Sequence, residues 1–380
     1  MRAEEILARL VAIDSTSSRP NVELIRFLTE RAEASGLSTR LYPYTDERGV
    51  EKLQLVAVSS KDFEEGGEVE LALVGHTDTV PFDPAWAEAL TLTEREGRLY
   101  GRGACDTKGF IAAALAALEE VEVEKLARPF ALVLTADEEV GCLGAKRLAE
   151  AGPFRARHAI VGEPTSLRPM RAGKGYCLAE VILRGREGHS AYPDLGASAI
   201  TRAAQLVTRI EAVSKQLKRL PHAAFDPPHT TLNVGLINGG TAKNIIAGEC
   251  RFTLEWRPVP GQRPELVADL VRHEAESLRE LDEDFDYELV VTRLDGGAET
   301  ASDAPLVRAL EELTGRSAST VAFGTEAPQL AQLGADAVVF GPGDIRVAHR
   351  TGEFVPAAEL RECAQILRRA VERFCGPEHQ

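Results

Sequence analysis

Two histidines and three acidic residues stand where short apolar runs of this chain end, and a fourth acid precedes a helical pattern. His76 follows the run 71–75 in HTDTVP, and Glu138 and Glu139 follow the run 130–135 in TADEEVG. Glu163 follows 159–162 in VGEPTS, and His349 follows 337–341 by a short loop in GPGDIRVAHRTGE. Asp106, in YGRGACDTKGF, precedes the helical pattern 108–120. Imidazole and carboxylate donors without cysteine suit borderline-hard divalent cations, zinc first. A carboxylate such as Asp106 can bridge two ions. Each ion then holds one histidine, one terminal carboxylate and a share of the bridge, with room for a water. Taken singly, each residue has a plain structural reading: a satisfied polar histidine, a solvated acidic loop at 138–139, a helix cap at Asp106, a turn before Pro164. Their convergence points to metal-assisted hydrolysis. Other templates fail: GRGACDTKG lacks the phosphate-loop spacing, GPGDIR lacks the third glycine of a dinucleotide fingerprint, and no G-x-S-x-G or H-E-x-x-H is present.

The elements that must carry these residues read as an α/β layer. The runs 71–75, 130–135, 159–162 and 337–341 lack a polar face, as buried parallel strands do. Helical patterns at 24–35, 108–120 and 142–151 lie among them. Open α/β sheets place their sites outside the carboxyl ends of the strands, so these strand ends deliver their polar residues to one edge. The middle of the chain differs. Segments 176–184, 231–237, 249–257 and 287–293 alternate apolar and polar residues, with helical segments 197–220 and 264–281 between them. The order β-α-β-β-α-β predicts an inserted ferredoxin-like α+β domain over 173–294, within a first domain formed by 1–172 plus 295–380. Gly173 and Gly175 flank Lys174 and are placed to act as a hinge.

A length of 380 residues agrees with two domains. With 44% hydrophobic and 27% charged residues the chain reads as globular, not as disordered or disulfide-scaffolded. The net charge of −15 disfavours nucleic acid and anionic membranes as partners. The longest apolar run, 110–118, is far short of the ~20 residues a spanning helix needs. The first residues, MRAEEILARLVAID, carry Glu4 and Glu5 and read as an amphipathic helix rather than a signal peptide, so a cytoplasmic location is expected. The six cysteines form no C-x-x-C pair and are expected as reduced thiols, Cys105 among them with no catalytic role.

The motifs HTDTVP, GRGACDTKGF, ADEEVG, GEPT, GHSAYP and AHRTGEF together resemble the zinc metallopeptidase superfamily of aminoacylases, succinyl-diaminopimelate desuccinylases and glutamate carboxypeptidases. GHTDTVPFD, LTEREGRLYGRG, GEPTSLRPMRAGKG, TLNVGLINGG, GTEAP and GPGDIRVAH place the resemblance nearest its acetylornithine deacetylases. The resemblance implies a zinc-exopeptidase-like catalytic domain, a mixed sheet between helices, with an inserted dimerisation domain. It implies hydrolysis of a small N-acylated amino acid, with two zinc ions as cofactors and cobalt able to substitute. His76 and Glu163 would hold one ion, His349 and Glu139 the other, and Asp106 would bridge them, with a cis peptide after it. Asp78 would hold the His76 ring and Glu138 would be the general acid/base. His189, in REGHSAYP, would stabilise the oxyanion in the partner subunit of a homodimer, and Arg257 and Asn244 would bind the substrate carboxylate. Glu326, in GTEAP, would meet the side-chain ammonium of ornithine, or serve as a structural carboxylate. Sister activities on acetylcitrulline, succinyl-diaminopimelate or peptides keep the same site and remain open. A non-catalytic metal protein would be expected to lack Glu138 or a ligand, and this chain keeps them all.

Overall fold

The computed structural model describes residues 1–60 and 63–377. The chain divides into two compact units: Met1–Arg171 with Glu299–Ser319 and Thr325–Gln380, and Ala172–Ala298 with Thr320–Gly324.

The first unit is built on a mixed sheet. Its strands run in the order Ser38–Thr45, Glu51–Val58, Phe130–Thr135, Glu68–His76, Arg155–Val161, Asp336–Val339. The last four are mutually parallel, whereas Glu51–Val58 runs antiparallel to both of its neighbours. Phe130–Thr135 lies on one side of Glu68–His76 and Arg155–Val161 on the other. This reversal opens a crevice at the carboxyl edge, where ligands of such sheets bind. The strands form because runs such as LALVG and FALVLT pack apolar side chains on both faces. Two strands escape the apolar-run reading. Ser38–Thr45 is an exposed edge interrupted by Pro43, and Glu51–Val58 buries Lys52 and Gln54 amid its apolar residues.

Helix Lys108–Glu119 (KGFIAAALAALE) is buried nearly all round, because its alanines admit both Ala3–Val11 and Ala357–Cys375 at close range. Phe110 and Ile111 pack beneath the strand ends. A Cβ at Gly162 would stand 2.1 Å from Phe110 Cδ1, so only glycine lets the Arg155–Val161 strand deliver Glu163 at this height. Each such buried Leu, Ile or Phe contributes about 1.5–3 kcal/mol, which makes the floor under the crevice rigid.

The second unit is a four-stranded antiparallel sheet in the order Thr231–Gly239, Glu249–Arg257, Tyr176–Arg184, Asp286–Asp295. Helices Ala199–Leu217 and Leu266–Arg279 pack on one face. Alternate residues Cys177, Ala179, Val181 and Leu183 join Trp256, Leu206 and Val271 in its core. The edge strand Thr231–Gly239 leaves Leu236 72% and Ile237 56% exposed. Among the described residues, no helix is long and apolar enough to cross a membrane, and the six cysteines are free and buried.

Candidate metal centre

His76 closes its strand and is fully buried. Its Nδ1 lies 3.0 Å from the Asp78 backbone oxygen, which fixes the ring and turns Nε2 toward the crevice. There Nε2 stands 3.1 Å from Asp106 Oδ1. The other carboxylate oxygen of Asp106 lies 3.1 Å from His349 Nε2. One carboxylate therefore sits between two imidazoles, one oxygen toward each. The peptide after Asp106 is cis. His349 Nε2 also lies 3.0 Å from Glu139 Oε2. Two groups of donors converge with all ligand atoms within 4.8 Å of one another: His76, Glu138 and Glu163, and His76, Asp106 and Glu139. Both Asp137 and His349 adopt left-handed backbone, φ 57° and 59°, which turns the loops that carry Glu138, Glu139 and His349.

Three braces hold these loops, and one of them, Lys52 and Tyr44 on Asp137, carries no sequence signal of its own. The Asp78 carboxylate lies 3.6 Å from the His76 ring, but its closer bonds run elsewhere. It accepts from the backbone N–H of Glu138 at 3.0 Å, from that of Glu139 at 3.2 Å and from the Ser17 hydroxyl at 2.7 Å. Glu353 Oε1 accepts from the N–H groups of Cys105 at 2.9 Å and Asp106 at 3.0 Å, while its other oxygen pairs with buried Arg102. The position of Glu353 four residues after His349 in AHRTGE was the one hint of this role. Lys52 reaches Asp137 at 2.8 Å, and the Tyr44 hydroxyl donates to the same carboxylate at 2.8 Å. Ser17, Lys52 and Tyr44 stand outside every motif.

The electrostatics are those of crowded acids. Burial, opposed by His76 and reinforced by Glu139, Glu326 and Asp106, pushes the Glu138 carboxyl up to about 8. Burial beside Asp106 and Glu138 carries Glu163 well above the carboxylate range, and burial raises Glu139 as well. Burial takes Glu326 up to about 7, against the pull of His76 and Thr135. Asp106 goes the other way: burial would raise it, but hydrogen bonds from His349 and His76 outweigh that and hold it low. His349 is pushed up to about 10 by its bonds to Asp106 and Glu139. So many buried carboxyls around two imidazoles lack positive charge. The donor set fits divalent cations, which take neutral imidazole and ionised carboxylate and supply that charge.

The remaining predicted residues lie in the second unit. His189 is exposed, in a short strand paired with Ile245, and its Nδ1 accepts from the Ala191 N–H at 3.1 Å. Asn244 is beside it, its backbone oxygen accepting from the Ser190 N–H at 3.1 Å. Arg257 ends its strand with the guanidinium 4.3 Å from the Tyr176 ring centre and 2.8 Å from Glu255.

Residues 72–373 match the model of peptidase family M20/M25/M40. A curated relative, the acetylornithine deacetylase of Myxococcus xanthus, is 56% identical over 97% of both chains. The acetylornithine deacetylase of Proteus mirabilis is 36% identical over 97% of this chain and 94% of its own. Among solved structures, a tripeptidase from Staphylococcus aureus superposes with TM-score 0.79 at 23% identity, covering 98% of each chain. A dinuclear metal-binding M20 peptidase from Bacillus subtilis does so with TM-score 0.69 at 13% identity, over 98% of this chain and 97% of its own. At these identities the structural matches establish the fold.

Proposed function

This chain belongs to peptidase family M20/M25/M40 and is a metal-dependent amidohydrolase; we propose that it removes the acetyl group from N2-acetyl-L-ornithine, yielding L-ornithine and acetate. The reaction class rests on one observation above all, the Asp106 carboxylate shared between the His76 and His349 rings with Glu138 beside them. The substrate rests on the relatives at 56% and 36% identity, and would place the reaction in arginine biosynthesis.

His76, Asp106 and Glu163 would hold one divalent ion, and His349, Asp106 and Glu139 a second, with zinc as the metal and cobalt able to replace it. When bound, the ions supply Lewis acidity toward the amide carbonyl and a water, and positive charge that draws the nearby carboxyls back to their ionised form. Glu138 takes the proton of the attacking water and hands it to the departing α-amine. A carboxyl that burial has lifted toward neutrality is matched to both halves of that transfer. Asp78 keeps Glu138 and Glu139 in place through their backbone N–H groups. His189 stabilises the oxyanion, and Arg257 and Asn244 bind the substrate carboxylate, as the family resemblance implies. The second unit serves as an inserted lid and dimerisation domain of a cytoplasmic homodimer. Exposed Leu236 and Ile237 on its edge strand support a covered surface there.

The test is release of free α-amine from N2-acetyl-L-ornithine by zinc- or cobalt-loaded protein, beside a chelated sample. Metal-dependent release is expected. Silence from folded, metal-replete protein would reject this substrate and turn attention to the sister acyl and peptidyl amides.

A further inference from the structure

The buried acids of the first unit, with one exception, have a visible counterpart. Asp137 has Lys52 and Tyr44, Glu353 has Arg102 and two N–H groups, and Asp78 has Ser17 and two N–H groups. Asp106, Glu138, Glu139 and Glu163 belong to the converging donor groups. Glu326 has neither. It is 1% exposed, and its Oε1 has no hydrogen-bond partner. Among the described residues no lysine or arginine pairs with it. It is absent from both donor groups, so it is not placed as a metal ligand.

Its position is nonetheless inside the site. Thr135, whose hydroxyl bonds it, is the last residue of its strand and pairs with His76 on the next. His76, Asp78 and Glu138 are the charged groups that face it. Glu326 caps the helix Ala327–Gln332, and Gln329, one turn on, also presents a buried Oε1 without a partner. Positions three apart on a helix share a face. Both deficits are acceptors, so the missing partner is a donor. The acidity of the surroundings makes it a cationic one.

We propose that Glu326, with Gln329 behind it, is the specificity-determining residue of the reaction, and that its carboxylate receives the terminal ammonium of the substrate's side chain. The inference rests on the acetylornithine reading and deepens it. The substrate carries that ammonium at the far end of a three-carbon side chain, and it is the one cationic donor the substrate offers. A substrate with an apolar side chain leaves the carboxylate unpaired. Sites built around a buried polar partner reject such analogues strongly.

Wild type and Glu326→Gln are compared on N2-acetyl-ornithine and N-acetyl-norvaline, which has the same carbon chain without the nitrogen, with bound metal measured for each protein. Wild type is expected to favour the ornithine substrate in kcat/KM by about 100-fold or more. In Glu326→Gln that ratio is expected to collapse toward unity with metal content retained. Glu326→Asp, which keeps the charge at a shorter reach, is expected to fall between them. Equal loss on both substrates with loss of metal would make Glu326 a support of the metal centre and overturn the proposal. A wild-type protein without preference between the two substrates overturns it with no variant needed. Wild type that hydrolyses acetyl-norvaline but ignores acetyl-ornithine overturns the substrate reading itself, and this inference with it.

Discussion

Acids and bases face one another in both units, and burial gives the contacts opposite meanings. On the open face of the second unit's sheet, Arg251 meets Glu249 at 2.7 Å and Arg184 meets Glu288 at 2.5 Å, with all four side chains about half exposed. Water and salt screen such pairs. At the carboxyl edge of the first unit's sheet the distances are no shorter. Asp106 lies 3.1 Å from each histidine, and Lys52 lies 2.8 Å from Asp137. There, however, His76, Asp106, Lys52 and Asp137 are buried and only His349 reaches water, and burial among these charges moves the proton affinities of Asp106 and Glu138 far from their usual values. Distance does not separate structural charge from chemical charge in this protein; desolvation does.

If that contrast is right, the largest effect belongs to Glu138. Glu138→Gln is expected to lower kcat about 10²–10⁴-fold with metal content unchanged, read by steady-state kinetics beside elemental analysis. Near-wild-type turnover would remove Glu138 from the role of base and weaken the contrast at its centre.

Next comes the Glu353 brace. Glu353→Ala leaves Arg102 buried without its partner and frees the Cys105 and Asp106 N–H groups. Loss of one member of a buried pair costs about 3–5 kcal/mol. Denaturant unfolding should show this, and competition with a chelator should show weaker metal retention, because Asp106 loses its support. A loss of stability with metal affinity intact would make the brace structural only.

A smaller effect is expected from His158, a buried histidine in the first unit but away from the metal donors. Burial lowers its pKa, against the attraction of Asp336 and Glu70. The unfolded chain therefore takes up the proton first as the pH falls below about 6.5. The stability tied to neutral His158 is complete above that value and is lost as the pH drops toward the lower, folded-state pKa. The slope from one proton is at most about 1.4 kcal/mol per pH unit. His158→Phe should flatten the acid side of the stability curve relative to wild type, and parallel curves would show that His158 titrates alike in both states.

The smallest is the control from the second unit. Arg184→Ala should leave the melting temperature within error, since both members of its pair are exposed. A clear drop would mean that exposed charge does more here than screening allows.

Much of this was legible before any coordinates. The apolar runs 71–75, 130–135 and 337–341 correspond to the strands Glu68–His76, Phe130–Thr135 and Asp336–Val339, because a strand buried on both faces leaves a continuous apolar trace. The β-α-β-β-α-β order of the middle segment was readable for the complementary reason, that a half-exposed strand alternates. His76, Glu138, Glu139, Glu163 and His349 could be gathered because parallel strands all discharge their next residues at one edge. Glu51–Val58 was not legible, since buried Lys52 and Gln54 break its apolar trace.

By itself, then, the sequence determined the strand and helix periods, the residue types at each strand end and hence the kind of chemistry they can perform. Only the tertiary structure decided which oxygen meets which nitrogen. It turned the Asp78 carboxylate toward the Glu138 and Glu139 backbone. It brought Glu353 across 247 positions to the Asp106 N–H, and it left Glu326 buried with Oε1 unpartnered. The physical reason is that periodicity is a local property of the chain. A side chain's partner depends on loop turns and on packing between elements far apart in sequence, and no local pattern encodes that.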